Sequence, residues 1–403
     1  MDQVFVVPEM ITATLGFAVF LLGARLTRKV AFLREFNIPE PVTGGLIAAA
    51  MFALFTVISG VGLSFETGGR DYFLVLFFAG IGLNARLSDL LSGGKILALL
   101  LVLTLGTIIV QSVVGIAGAT MFGLPAQSGV LLGSASLIGG HGTAIAWAPN
   151  VAAATGLNSA AELGVAMATL GLIAASLVGG PIAKFLVGRN KLTSTHEGDG
   201  DVVGVSFEEE NDATEISHVS LMRVMLSLHL AIILGYALHE VLEEIGLMLP
   251  LFVPCLIVGI ILGNLRLLLA PKAPPVARTP TLAVISEFAL GVFLAISLMT
   301  LDFSTLSGAG LAIMATVGAQ TLITVVLVIL VLFPILGRNY DAAVLASGFA
   351  GFSLGATPTA IANMTAVTKR YGPAPIAFVV LPLVSAFFVD IANAIVIQSI
   401  VNF

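Results

Sequence analysis

Charge is what this 403-residue sequence has least of: Asp, Glu, Lys and Arg together make up 10% of it. A soluble globular domain carries about 25%, so this chain cannot cover itself with a water-compatible surface. Hydrophobic residues make up 58% and the mean hydropathy is +1.09, which places the chain in lipid. Alternating strand patterns of about ten residues are missing, and with them the membrane barrel, leaving an all-α class. The net charge of -6 gives no reason to expect a nucleic-acid partner. With one cysteine, Cys255, no intrachain disulfide can form and the redox compartment stays open. HExxH and a Cys/His metal cluster are both absent, so an intramembrane enzyme is the weakest reading. No basic residue precedes the first apolar run, so Met1 to Phe20 does not read as a signal peptide.

What is present is a series of apolar runs bounded by charges or turn residues. They place spans near 8–27, 39–60, 71–90, 96–121 and 160–185, then near 220–241, 248–270, 281–302, 308–336 and 374–400. A polar, acidic stretch at 189–217 separates the two series and reads as a solvated linker. Between the fourth and fifth member of each series lies an awkward segment, 126–150 and 341–366, apolar but rich in Gly, Ser, Thr or Pro.

The two series are related. "FFAGIGLNARLSDL" starts at Phe77 and "FLAISLMTLDFSTL" at Phe293; "GGHGTAIA" starts at Gly139 and "GATPTAIA" at Gly355. Both pairs are 216 residues apart, which points to an internal duplication of 1–188 in 218–403. If each awkward segment enters and leaves by one face, each half crosses five times, and an odd number inverts the second half. With the N-terminus outside, sixteen of the seventeen Lys and Arg residues then fall on the cytoplasmic side, Arg70 being the exception. The expectation is therefore a polytopic all-α membrane protein of two inverted five-helix repeats, each with a re-entrant hairpin. Both termini are expected outside and the linker in the cytoplasm.

Inverted repeats with broken segments at membrane depth are the mark of a secondary transporter. Backbone groups left unpaired cost several kcal/mol each against lipid and are tolerable where they line a cavity or grip a substrate. "GGHG" at 139–142 and "GATP" at 355–358 are read as two hairpin tips meeting near the midplane. Tight helix packing is the competing explanation for the glycines. Half-helix N-termini at such tips offer free N–H donors and a positive dipole end to a carboxylate.

Gly139, Gly140, Gly142 and His141 form the first candidate tip. His141 could donate to a substrate carboxylate, carry a proton or satisfy a hairpin carbonyl. Thr143, Thr357 and Thr359 bring hydroxyls to the breaks, although helical Thr also bonds its own backbone. Asn363 can donate to a carboxylate and accept from an ammonium. Asp390 stands alone in an uncharged span, a functional signal by default. Asn393 shares its face, suggesting an oxygen-lined Na⁺ site, with Asn84 a weaker candidate. Arg370 could reach inward to the substrate or anchor the cytoplasmic face. Glu40, between two prolines, reads as a helix N-terminal carboxylate. Asp302 and Arg86 read as interfacial.

"IPEPVTGGL" (38–46), "GGHGTAIAW" (139–147), "NYDAAVLA" (339–346), "GATPTAIANM" (355–364) and "FFVDIANAIVI" (387–397) resemble the bacterial sodium/glutamate symporter family over nearly the whole chain. The resemblance implies Na⁺-coupled uptake of L-glutamate across the bacterial cytoplasmic membrane, two inverted repeats with re-entrant loops, and a homodimer in the lipid bilayer. Alternating access would move the part carrying both hairpins against the earlier helices, and the paired hairpins favour an elevator motion. A Na⁺-coupled di- or tricarboxylate symporter is the alternative on the same scaffold, and a channel the more distant one.

Overall fold

The computed structural model describes residues 4–35, 38–85, 94–194, 216–244, 249–269, 273–301, 308–385 and 388–402. In the first half lie α1 (Glu9–Lys29), α2 (Ala31–Glu35), α3 (Glu40–Ser59), α4 (Gly68–Asn84), α5 (Gly94–Met121), α6 (Gly140–Thr155) and α7 (Ala160–Asn190). The second half holds α8 (His218–Glu244), α9 (Phe252–Leu269), α10 (Pro280–Met299), α11 (Gly310–Leu327), α12 (Tyr340–Leu354), α13 (Thr357–Tyr371), α14 (Pro375–Ser385) and α15 (Phe388–Val401). A π-helical turn, Val328–Leu332, extends α11 toward Ile335. The apolar runs read from the sequence fall on these helices, that at 374–400 being shared between α14 and α15 and that at 308–336 continuing from α11 through the π-helical turn.

Eight of the described stretches are long and apolar enough to cross a bilayer: α1, α3, α5, α7, α8, α10, the Gly310–Ile335 stretch and the Pro375–Val401 stretch. The chain is thus a multi-pass helical membrane protein. At 17 and 18 residues, α4 and α9 are shorter than the roughly 20 a perpendicular crossing needs. Arg86, Asp302 and most of the linker lie outside the described residues.

One short two-stranded sheet joins the helices. Val4–Val7 pairs in parallel with Gly62–Phe65, with Val4 opposite Gly62. "VFVV" is β-branched and aromatic, and such residues favour strands. Proline and glycine punctuate the helices as the sequence suggests. Pro39 and Pro41 flank Glu40 at the start of α3, leaving its carboxylate in the first turn, and Gly60 at φ 72° ends it.

The chain packs as two compact units, each drawing on both halves of the sequence. One contains α1, α3, α4, α8, α9 and α10. Within it α3 packs on α10 and α4 on α9, so the second helix of each half meets the third helix of the other. Small residues make these approaches possible: a Cβ on Gly259 would lie 2.8 Å from the Ala79 carbonyl oxygen, and one on Gly263 2.7 Å from that of Leu83. Such backbone contact is the usual packing device where lipid supplies no hydrophobic drive.

The other unit contains α5, α6, α7 and α11 to α15. Its frame is the two longest described helices, α5 with 28 residues and α7 with 31. Against this frame lie the two interrupted segments. Residues Ala126–Val130 form a 3₁₀ helix, continued by turns to 138 before α6 begins. In the second half, α12 and α13 are separated by Gly355 and Ala356 alone. Both segments are more helical than the sequence suggested, and α6 and α13 run on to 155 and 371.

Candidate functional site

The second interrupted segment is a helical hairpin. A Cβ on Gly351 would lie 2.9 Å from the Ala360 Cα, and one on Gly348 2.6 Å from the Met364 side chain. Tyr340 closes the open end by donating its hydroxyl to the Gly372 carbonyl at 2.5 Å. Partners thus move outward along α13 as they move back along α12, the pattern of antiparallel arms folded at 355–356. Fifteen residues per arm reach about 22 Å, short of a roughly 30 Å hydrocarbon core.

The first segment follows the same plan with a less regular arm. Its hydrogen bonds mix spacings: Leu131 N–H to Ser128 O, Ala135 N–H to Val130 O, Gly139 N–H to Ser134 O. Gly129 and Gly133 let this arm lie backbone to backbone on α5, where side chains would strike Ile116 and Gln111. As the arm rises in number its contacts on α5 fall, from Ile116 at Gly129 to Gln111 at Gly133. The second tip lies against the middle of α7, since a Cβ on Gly355 would lie 3.1 Å from both Ala175 Cβ and Leu172 Cδ2.

The tips meet. Gly140 has φ 70°, a left-handed conformation that costs other residues about 1–2 kcal/mol, and a Cβ there would lie 3.9 Å from the Gly355 carbonyl oxygen. From this junction α6 and α13 both depart, and neither Gly139 nor Ala356 caps its helix with a side chain. Two positive helix ends without side-chain caps therefore share one place. That arrangement can hold an anion without a basic side chain.

Buried amides secure the broken backbone. Asn393 donates Nδ2 to the Ser134 carbonyl at 3.1 Å, Asn363 to that of Ala175 at 3.1 Å, and Gln111 to that of Ser353 at 2.6 Å. Gln320 donates to the Gln111 carbonyl at 2.8 Å and to that of Leu132 at 3.3 Å. These donations fix which way each amide points and leave Asn393 Oδ1, Gln111 Oε1 and Gln320 Oε1 buried with no protein partner among the described residues. Carbonyl oxygens left over in this way suit a hard cation, which takes oxygen ligands. Among the described residues no three His, Cys, Asp or Glu side chains gather to hold a metal. Gln111 and Gln320 are absent from the sequence reading, although each is a lone amide in an apolar span, a signal of an interhelical hydrogen bond.

The structure brings together most of the candidates but not all. Gly139 abuts Asn393, whose Nδ2 would lie 2.9 Å from a Cβ there. Thr143, Thr359 and Asn363 are buried, Gly142 and Thr357 half-buried, and the Thr359 hydroxyl has no protein partner among the described residues. His141 is buried with Nε2 3.0 Å from the Thr169 hydroxyl. That hydroxyl donates to the Val165 carbonyl at 2.9 Å, so His141 is the donor and its ring ties α6 to α7. Asp390 sits half-buried in the first turn of α15.

Two candidates fall elsewhere. Arg370 occupies the last turn of α13, exposed and stacked on Tyr371 at 5.4 Å, about 20 Å along the helix from the tip. Asn84 lies in the other unit and is exposed, with its Oδ1 accepting from the Arg278 N–H at 2.6 Å. Within its own unit this oxygen is already used in holding the loop at Arg278.

The family model described as sodium/glutamate symporter matches residues 7–373. The sodium/glutamate symporter of Escherichia coli (strain K12) is 38% identical over 378 residues, covering 94% of this chain and 93% of that protein. Its counterpart in Haemophilus influenzae is 37% identical over 393 residues, covering 96% and 95%. With a family match over most of its length and relatives aligned almost end to end, the chain belongs to the sodium/glutamate symporter family.

Proposed function

We propose that the chain imports L-glutamate with Na⁺ as coupling ion across the bacterial cytoplasmic membrane, and that the two tips form its substrate site. The family is one of transporters, not enzymes, and its relatives are named for sodium and glutamate. The observation that carries the site assignment is the meeting of two uncapped helix N-termini at Gly140 and Thr357. Glutamate brings two carboxylates and this junction offers two sets of free N–H groups, which replace water around each carboxylate. Thr357 and Thr359 stand at the second set and His141 and Thr143 at the first. The unpartnered oxygens of Asn393 and Gln111, with the Asp390 carboxylate nearby along α15, supply oxygens for Na⁺.

Both hairpins are re-entrant in this reading, the first from outside and the second from the cytoplasm, within inverted repeats with both termini outside. The unit that holds the tips is the moving part, and its partner in alternating access is the unit built from α1, α3, α4, α8, α9 and α10. An elevator motion of a homodimer fits a substrate cradle confined to one unit.

Uptake of radiolabelled L-glutamate into proteoliposomes tests the reading. An inward Na⁺ gradient should drive accumulation that unlabelled glutamate competes, and K⁺ or H⁺ gradients alone should not. Accumulation of malate or citrate in place of glutamate would keep the scaffold and overturn the substrate.

A further inference from the structure

A second feature lies at the far end of the tip-bearing unit. α7 and α13 diverge there around a cavity of about 770 Å³, lined by Gly180, Pro181, Phe185, Ala366, Val367 and Tyr371 together with Lys184, Arg189 and Arg370. Pro181, Lys184, Phe185 and Arg189 recur at helical spacing on one face of α7. The opposite wall, on α13, has the same composition of apolar residues and one cation. Among the described residues no carboxylate forms an ion pair with any of the three cations; the ion pairs present are Arg70–Asp71 and His239–Glu243. Arg189 instead rests over the Phe185 ring at 5.7 Å and Arg370 over that of Tyr371 at 5.4 Å. Gly180 opens onto this space, since a Cβ there would meet nothing within 4 Å.

We propose that this groove binds one anionic phospholipid, its phosphate among Lys184, Arg189 and Arg370 and an acyl chain along Pro181, Phe185 and Val367. Charge complementarity and the apolar wall argue together. A soluble anion would use the cations and leave the apolar wall wet, and a neutral lipid would use the wall and leave three cations unpaired. The position suits a lipid on the topology proposed above, on which this part of the proposal rests: these residues then close the cytoplasmic ends of α7 and α13, where anionic headgroups concentrate and each basic residue adds to attraction. A bound lipid would bridge the open end of the second hairpin to α7, beside the Tyr340–Gly372 closure.

The test is lipid retention by the full-length protein in detergent, read by native mass spectrometry during titration with phosphatidylglycerol or phosphatidylcholine. One phosphatidylglycerol per chain should bind in preference to phosphatidylcholine. The triple variant K184Q/R189Q/R370Q should weaken that binding by about a hundredfold. Gly180→Leu, which keeps every charge and fills the groove, should weaken it as well, so a folding defect in one variant leaves the other decisive. Equal binding of the two lipids, or binding that both variants leave unchanged, would overturn the proposal. Displacement by millimolar inorganic phosphate would assign the cations to a soluble anion. Binding seen only after Glu208, Glu209 and Glu210 are changed to Gln would assign the groove to the chain's own acidic linker. Either result excludes the lipid.

Discussion

Gly140 and Asn393 state the problem of the site in two residues. Gly140 supplies a left-handed turn beside the Gly355 carbonyl. A leucine there would carry a backbone cost of about 1–2 kcal/mol, small against the 5–15 kcal/mol that holds a typical fold, while its side chain would enter the junction of the tips. Gly140→Leu should therefore give folded, monodisperse protein by size-exclusion chromatography with glutamate uptake lost; normal uptake would remove Gly140 from the site. Asn393 spends its Nδ2 on the Ser134 carbonyl and keeps Oδ1 free. Asn393→Ala should raise the Na⁺ concentration for half-maximal uptake about tenfold, the equivalent of one lost ligand worth about 1.4 kcal/mol. At saturating Na⁺ the KM for glutamate should return toward that of the unmodified protein. A change in KM that Na⁺ does not relieve would move Asn393 from the cation to the substrate.

At the scale of elements, glycine serves two purposes that the sequence alone does not separate. Gly115 lies where α5 and the irregular arm touch backbone to backbone, and a side chain there would run into the Gly129 carbonyl; Gly106 lies on the same helix with nothing within 4 Å. Gly115→Leu should lower Tm or prevent recovery of folded protein, because overpacking costs about 1–3 kcal/mol or more. Gly106→Leu should leave Tm unchanged or slightly raised, since Leu is the better helix former. Equal Tm for the two variants would dissolve the packing account of the arm. Eight of the ten spans and both break points were legible in the sequence, because apolar run length and the 216-residue offset are properties of the chain itself. The irregular backbone of 126–138, a 3₁₀ turn followed by mixed turns, was not, since it follows from packing against α5. Nor was the division of roles among polar residues. Gln111 and Gln320 sit in apolar runs with no neighbouring motif, and only the fold shows which carbonyls they reach. Arg370 was drawn toward the site by residue type, and the length of α13 holds it at the helix's far end.

For the whole molecule, the decisive question is which side of the membrane each end of a hairpin faces. A segment that crosses would put its two ends on opposite sides; one that dips and returns would put them together. Cys255 is the only cysteine and is buried, so single introduced cysteines report by themselves. Met121 and Asn158 flank the first interrupted segment and are exposed, as are Ile335 and Lys369 around the second. In intact right-side-out cells, M121C and N158C should both react with a membrane-impermeant maleimide, while I335C and K369C should react only after permeabilisation. This outcome would fix two re-entrant hairpins of opposite entry and, with them, an odd number of crossings in each half. Labelling of M121C but not N158C would make the first segment a true span. The halves would then be parallel, the positive-inside count would fail for the second half, and the tips would lose the opposed approach that lets two helix N-termini face one substrate.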